Sequence, residues 1–276
     1  MRIDAHQHFW RYDPVEHNWM NEEMEVLKHD YLPGDLLPLL DEGEIDGTVA
    51  VQARQILAEN DFLLALAKES PRIKGVVGWV DLRSPDLIDQ LDRYVGHSKF
   101  VGVRHVVHDE PDDDFMLRPD FMQGIKTVGG YDLTYDLLLF PKHVARAIKL
   151  VQHFPDQPFV LDHIAKPFIR DDVLEPWETE IRELARHENV CCKVSGMVTE
   201  ARWKQWQPED YRPYLDVIFD SFGPQRLMWG SDWPVCTLSG RYAQVQGIVE
   251  DYIGQLPATT RAAVMGANAV KFYGLE

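Results

Sequence analysis

Two histidines one residue apart, His6 and His8, stand within the first ten residues of the chain. On a β-strand, residues two apart face the same side, so both imidazoles would point one way from one strand. Neutral imidazoles at that spacing can bind one divalent ion or polarise one carbonyl. Alone the pair is a weak signal, equally readable as two unrelated histidines. Asp232 ends the run Leu227-Met228-Trp229-Gly230-Ser231-Asp232. A carboxylate after an apolar strand is costly to bury unless paired or hydrated. It reads as a metal ligand, a general base or the N-cap of the next turn. His163 ends Pro158-Phe159-Val160-Leu161-Asp162-His163, where the bland alternative is a satisfied core histidine. Arg104 ends a fourth apolar run; its guanidinium fork suits a carboxylate or a substrate carbonyl, with a salt bridge to a loop acid as close competitor. Gln52, Asp81, Asp136 and Lys193 also fall at strand ends. They are substrate-binding candidates, each as readily a structural hydrogen-bond partner.

Eight short runs rich in β-branched residues carry these side chains: 2–9, 47–52, 73–82, 100–107, 132–140, 158–163, 190–195 and 226–232. Several are apolar on both faces, as parallel strands covered on both sides are. Helical stripes lie between them: Phe62, Leu63, Leu66 and Ala67; Leu87, Ile88, Leu91 and Val95; Val144, Ala147, Ile148 and Val151. Strands alternating with helices over 276 residues predict one (β/α)8 barrel domain spanning residues 1–276. The competing fold is an open doubly wound sheet, whose usual Gly-x-Gly-x-x-Gly signature is missing. Loop 10–33 carries Trp10, Tyr12, Trp19 and Tyr31, and loop 108–120 carries an acidic run. Both follow strands and would overhang the catalytic face. Trp19 joins the substrate-binding candidates; the acidic run reads as a solvated loop.

A net charge of −17 repels phosphate backbones and anionic membrane surfaces, so neither nucleic acid nor membrane is an expected partner. Cys191, Cys192 and Cys236 are odd in number and two are adjacent, which fits reduced buried thiols better than a disulfide framework. With no apolar leader near Met1 and no run of ~18 apolar residues, the chain reads as cytoplasmic. No Gly-x-Ser-x-Gly elbow, P-loop or His-Glu-x-x-His occurs. A homo-oligomer is left open.

The segments Asp4-Ala5-His6-Gln7-His8-Phe9-Trp10, Leu161-Asp162-His163-Ile164-Ala165-Lys166-Pro167, Lys193-Val194-Ser195-Gly196 and Gly230-Ser231-Asp232-Trp233-Pro234 together resemble the amidohydrolase superfamily. More narrowly, they resemble its amidohydrolase-2 lactonase group, in the branch acting on L-fuconolactone and L-rhamnonolactone. Asn268-Ala269 to Phe272-Tyr273 resembles that group's closing segment. The resemblance implies hydrolysis of a sugar-acid lactone. Asp232 would be general base, and His6, His8 and His163 would stabilise the oxyanion, directly or through one ion. Arg104 would hold the substrate carbonyl, and the loop from Trp10 to Tyr31 would cap the sugar. Binuclear members of the superfamily also use a lysine ending strand four and a histidine ending strand five. Here Arg104 takes the former place, Lys99 precedes strand four, and His143 lies beyond strand five. The implied site therefore holds at most one divalent ion, zinc by its imidazole donors, on His6, His8, His163 and Asp232, or none. A metal-dependent decarboxylase of a small aromatic or unsaturated acid is the enzymatic alternative, and a binding barrel without turnover the non-enzymatic one. All these readings except the last expect His6, His8, His163 and Asp232 to converge at the mouth.

Overall fold

The computed structural model describes residues 1–276. Its strands are β1 (Ile3–Gln7), β2 (Gly47–Val51), β3 (Ile73–Gly78), β4 (Phe100–His105), β5 (Thr134–Leu137), β6 (Phe159–Leu161), β7 (Val190–Val194) and β8 (Leu227–Trp229). Every predicted run contains one of them. Each strand pairs in parallel with the next in sequence order. The ring closes just past β8, where Gln7 bridges Trp233. There the His8 amide donates to the Trp233 carbonyl at 2.7 Å and the Asp232 amide to the His6 carbonyl at 2.8 Å. Closure rules out the open doubly wound sheet and makes this a (β/α)8 barrel.

The predicted helical stripes form helices at Leu57–Glu69, Leu87–Tyr94 and Val144–His153. Leu63, Ala67, Leu87, Leu91, Val144, Ala147 and Val151 are buried as their spacing requires. Ile88 is the exception at 57% exposed; Tyr94 fills the inner face instead. No helix is long and apolar enough to cross a membrane.

Two apolar clusters divide the core. The larger gathers residues such as Leu63, Leu91, Val103, Ile181 and Val249 from helices and strands. The smaller joins Ile3, Ala5, Val49, Val51, Val77, Val160 and Met228 to Ala269, Tyr273 and Leu275 of the C-terminal segment. That segment floors the barrel at the N-terminal ends of the strands. The Asn268 amide donates to the Pro224 and Leu227 carbonyls at 2.8 and 2.7 Å. Gly266 lies so close to Met1–Ile3 that an added Cβ would sit 2.3 Å from the Met1 carbonyl oxygen. Backbone cannot give way as a side-chain tip can, so Gly266→Ala should cost roughly 1–3 kcal/mol. A lowered thermal midpoint by circular dichroism is the expected outcome.

Candidate active site

Strand ends and the turns after them deliver the mouth residues. The His6 and His8 rings face each other, Nε2 to Nε2, at 3.2 Å. Asp232 Oδ1 lies 3.4 Å from His8 Nε2, 3.9 Å from His6 Nε2 and 3.7 Å from His163 Nε2. His163 also packs on His6 at 4.3 Å between ring centroids. His6, His8 and Asp232 bring their ligand atoms within 4.8 Å of one another, and so, as a second set sharing His6, do His6, Asp162 and His163. The expected quartet converges, with His163 set to one side.

The far nitrogen of each histidine is held by the protein. His8 Nδ1 donates to the Val51 carbonyl at 2.8 Å, His163 Nδ1 meets Ser195 Oγ at 2.9 Å, and His6 Nδ1 lies 3.3 Å from Asp162 Oδ1. With its Nδ1 donating to the Val51 carbonyl, His8 presents an Nε2 lone pair to the common centre beside the Asp232 carboxylate. Acceptors aimed at one another call for a shared proton or a cation between them, and second-partner bonds of this kind orient metal-binding histidines. The donor set therefore fits one divalent ion.

Backbone strain is concentrated here. His163, Ile164, Ala165 and Lys166 all have positive φ, between 49° and 60°, where each non-glycine residue costs ~1–2 kcal/mol. The Trp177 indole, donating to the Ile164 carbonyl at 2.7 Å, helps hold the turn. Asp232 is also left-handed, at φ 56°. Gly196 takes φ +63°, and a Cβ there would lie 2.5 Å from His163 Nδ1, so only glycine admits that ring.

A buried ionic cluster lies behind the histidines. Arg104 donates to Asp162 Oδ2 at 3.0 Å and to Gln52 Oε1 at 2.7 and 3.1 Å. Its Nη1 stands 3.3 Å from His6 Nε2. Lys193 Nζ contacts Asp136 Oδ2 at 2.5 Å, Asp162 Oδ1 at 3.0 Å and His6 Nδ1 at 3.2 Å. Tyr273 Oη donates to Asp136 at 2.9 Å. Burial pushes the His6 imidazole well below its ordinary value, and Lys193 adds to this. Burial also takes His163 down to about 4. Burial alone would raise the Asp232 carboxyl, yet facing His163 and His8 outweigh it and hold it below the usual carboxylate range. At neutral pH both His6 and His163 are uncharged, so the positive-charge part of that depression applies only in acid. For Asp162, burial is outweighed by Lys193, His6 and Arg104, which keep it ionised. Asp136 is raised to about 6, mostly by burial.

Lys193 and Asp136 are fully buried and pair with each other. Lys193 in turn contacts His6 Nδ1, so the pair supports that ring from below. Asp81 Oδ1 accepts from the Arg83 amide in a local turn and makes no contact with the histidines. Trp10 and Tyr31, drawn above as a lid, are buried against each other and Trp233. Among the tryptophans and tyrosines of that loop, Trp19 is the one that stays exposed, at 39%. His143 precedes its helix in a short turn and faces Asp113, not the mouth. The acidic loop is drawn into ion pairs, Asp113 with Lys142 and Asp114 with Arg146. Asp162, Asp4, Ser195 and Tyr273 are parts of the site that residue pattern alone did not single out. For Asp162 no local signal exists: neighbours on a strand normally face opposite sides, and only the left-handed turn at His163 brings both inward.

A parallel eight-stranded barrel with three histidines and an aspartate gathered at the C-terminal ends of its strands is a barrel of the metal-site type. The chain matches the amidohydrolase family model over residues 3–275. It belongs to the amidohydrolase family. It is 41% identical to an L-fucono-1,5-lactonase of Burkholderia multivorans, across all of this chain and 96% of the relative. It is 35% identical to an L-fucono-1,5-lactonase of Burkholderia ambifaria, over the same shares of each. Among solved structures, an amidohydrolase from Burkholderia multivorans with bound zinc superposes with a TM-score of 0.96 at 40% identity, covering 100% of both chains.

Acid should destabilise the metal-free protein. Burial holds His163 at about 4, and burial with Lys166 and Arg104 holds His108 at about 2; His6 and His105 are lowered too. Between pH 6.5 and about 4 the unfolded chain binds protons that these four histidines refuse, so stability is full above 6.5 and falls as pH falls. Asp4 and Asp136, raised to about 6, act in the opposite sense, as do Asp109 and Glu180, raised by burial, while burial lowers His143 as a fifth histidine. A scanning-calorimetry midpoint several degrees lower at pH 4.5 than at pH 6.5 is the expected result.

Proposed function

We propose that the chain hydrolyses the lactone ring of a small sugar acid, with L-fucono-1,5-lactone the first candidate, to the open-chain acid. The observation that carries this reading is full-length similarity to L-fucono-1,5-lactonases, joined to a mouth built for ester chemistry. His6, His8 and Asp232 would hold one zinc ion, with His163 alongside; zinc, when bound, supplies Lewis-acid polarisation of an ester carbonyl. Asp232 accepts a proton from the attacking water. Its carboxylate, faced by the His8 ring, is a mild base, which suits an ester activated by ring closure. Arg104 locks Gln52 Oε1, which turns Gln52 Nε2 the other way, and that buried donor has no protein partner. An unmade bond of this kind costs ~1–3 kcal/mol, and a substrate oxygen would satisfy it. Arg104 and Gln52 are thus the substrate-orienting pair, with Trp19 overhanging the entrance.

A pH-indicator screen over aldonolactones, with carbon dioxide measured in parallel, tests the reading. Acid release without carbon dioxide is expected; carbon dioxide from an aromatic acid would point to decarboxylation instead. Asp232→Asn should lower kcat by ~10²–10⁴-fold with the circular-dichroism spectrum unchanged. More than about a tenth of wild-type activity, well outside that range, would remove Asp232 as the base. Histidines and Arg104 can themselves polarise an activated ester, so chelation should reduce activity less than Asp232→Asn does. Parallel assays of the chelated protein and the variant decide this.

A further inference from the structure

We propose that Lys193 is a built-in cation occupying the position a second divalent ion would take, and that this limits the mouth to one ion. The inference rests on the zinc-competent reading of the site given above. Lys193 Nζ has the surroundings of a bound cation: a carboxylate oxygen of Asp136 at 2.5 Å, one of Asp162 at 3.0 Å, and His6 Nδ1 at 3.2 Å. All four side chains are fully buried. Asp162 and His6 are two of the three residues in the second metal-competent set, whose third is His163. The ammonium is therefore seated on donors that a further ion would need.

Charge balance agrees. Asp136 and Asp162 are matched by Lys193 and Arg104, with Arg104 on the other oxygen of Asp162. A further divalent ion would have to enter a region already neutral, and low-dielectric surroundings make that excess costly. His6 links the two halves. Its Nδ1 faces Asp162 and Lys193, and its Nε2 faces His8 and Asp232. One ring thus separates an outer position open to an exchangeable ion from an inner one filled by a side chain. A methionine at position 193 would keep the stem and remove the charge, leaving two buried carboxylates short of one cation. Removing one partner of a buried ion pair is strongly destabilising, and a divalent ion is the available replacement.

The test compares wild type and Lys193→Met, stripped of metal, equilibrated with excess zinc chloride, desalted and analysed for zinc by elemental analysis. Wild type should retain no more than one zinc per chain and Lys193→Met one more than wild type. Lys193→Met with Asp136→Asn, which loses an inner donor, should fall back to the wild-type count. Equal zinc in wild type and a folded Lys193→Met would overturn the proposal. Thermal melting supplies the second measurement. Without zinc the variant should melt below wild type, and added zinc should raise its midpoint more than that of wild type. A variant that zinc fails to stabilise, or that stays unfolded in zinc, counts against the proposal equally. Wild type without zinc and Lys193→Met with one would leave the Lys193 inference standing while removing zinc from the proposed function. Absence of lactonase activity would likewise leave the zinc counts readable.

Discussion

A carboxylate sealed from water persists only where donors surround it, and Asp4 is such a group. It accepts from the Ser231 hydroxyl at 2.6 Å, the Ser231 amide at 2.8 Å, the Tyr242 hydroxyl at 3.0 Å and the His6 amide at 3.2 Å. These donors come from both sides of the seam where the first strand meets the end of the last. One side leads into His6 and His8, the other into Asp232. The barrel closes and the site assembles through the same few bonds. Even so, burial leaves the Asp4 carboxyl raised to about 6, the mark of a group held by its neighbours at a cost.

Below the mouth, polarity continues inward where an ordinary barrel interior would be branched and apolar. Arg104, Asp162, Lys193 and Asp136 form a layer of fixed charge, and the apolar cluster of Ile3, Val49, Val77 and Met228 accompanies it. Buried ion pairs seldom add net stability over apolar packing. What this layer does contribute is orientation. Arg104 fixes both Asp162 and the Gln52 amide, and Asp162 fixes the His6 ring. Rigid geometry at the mouth follows from electrostatic constraint beneath it, in the manner of preorganised catalytic sites.

The strands were legible because parallel strands covered on both faces are continuous apolar runs, a pattern that few other elements share. His6 and His8 were legible because strand periodicity alone puts them on one face. Asp232 stood out as a charge ending an apolar run. His163 was placed by its company, since its direction depends on a left-handed turn through Lys166 for which no residue-level signature exists. Helix stripes were right in register but blind to partner shape, hence exposed Ile88 and buried Tyr94. Strand-end position alone does not tell a mouth residue from a turn residue such as Asp81 or an inner one such as Asp136. That distinction depends on how far each side chain reaches along the barrel axis, and sequence spacing does not record it.

Tyr273 gives the floor a part in the chemistry. Its hydroxyl donates to Asp136, which pairs with Lys193, which meets His6. That tyrosine lies in a segment translated after all eight strands. A chain emerging from the ribosome can pair its strands in order, but Asp136 lacks this donor until the final helix has docked from beneath. Alignment of the histidine cluster is thereby tied to the docking of the segment that carries Tyr273. A growing chain stalled between β8 and Tyr273 would carry every mouth residue and still lack the lowest rung of the ladder that aligns them.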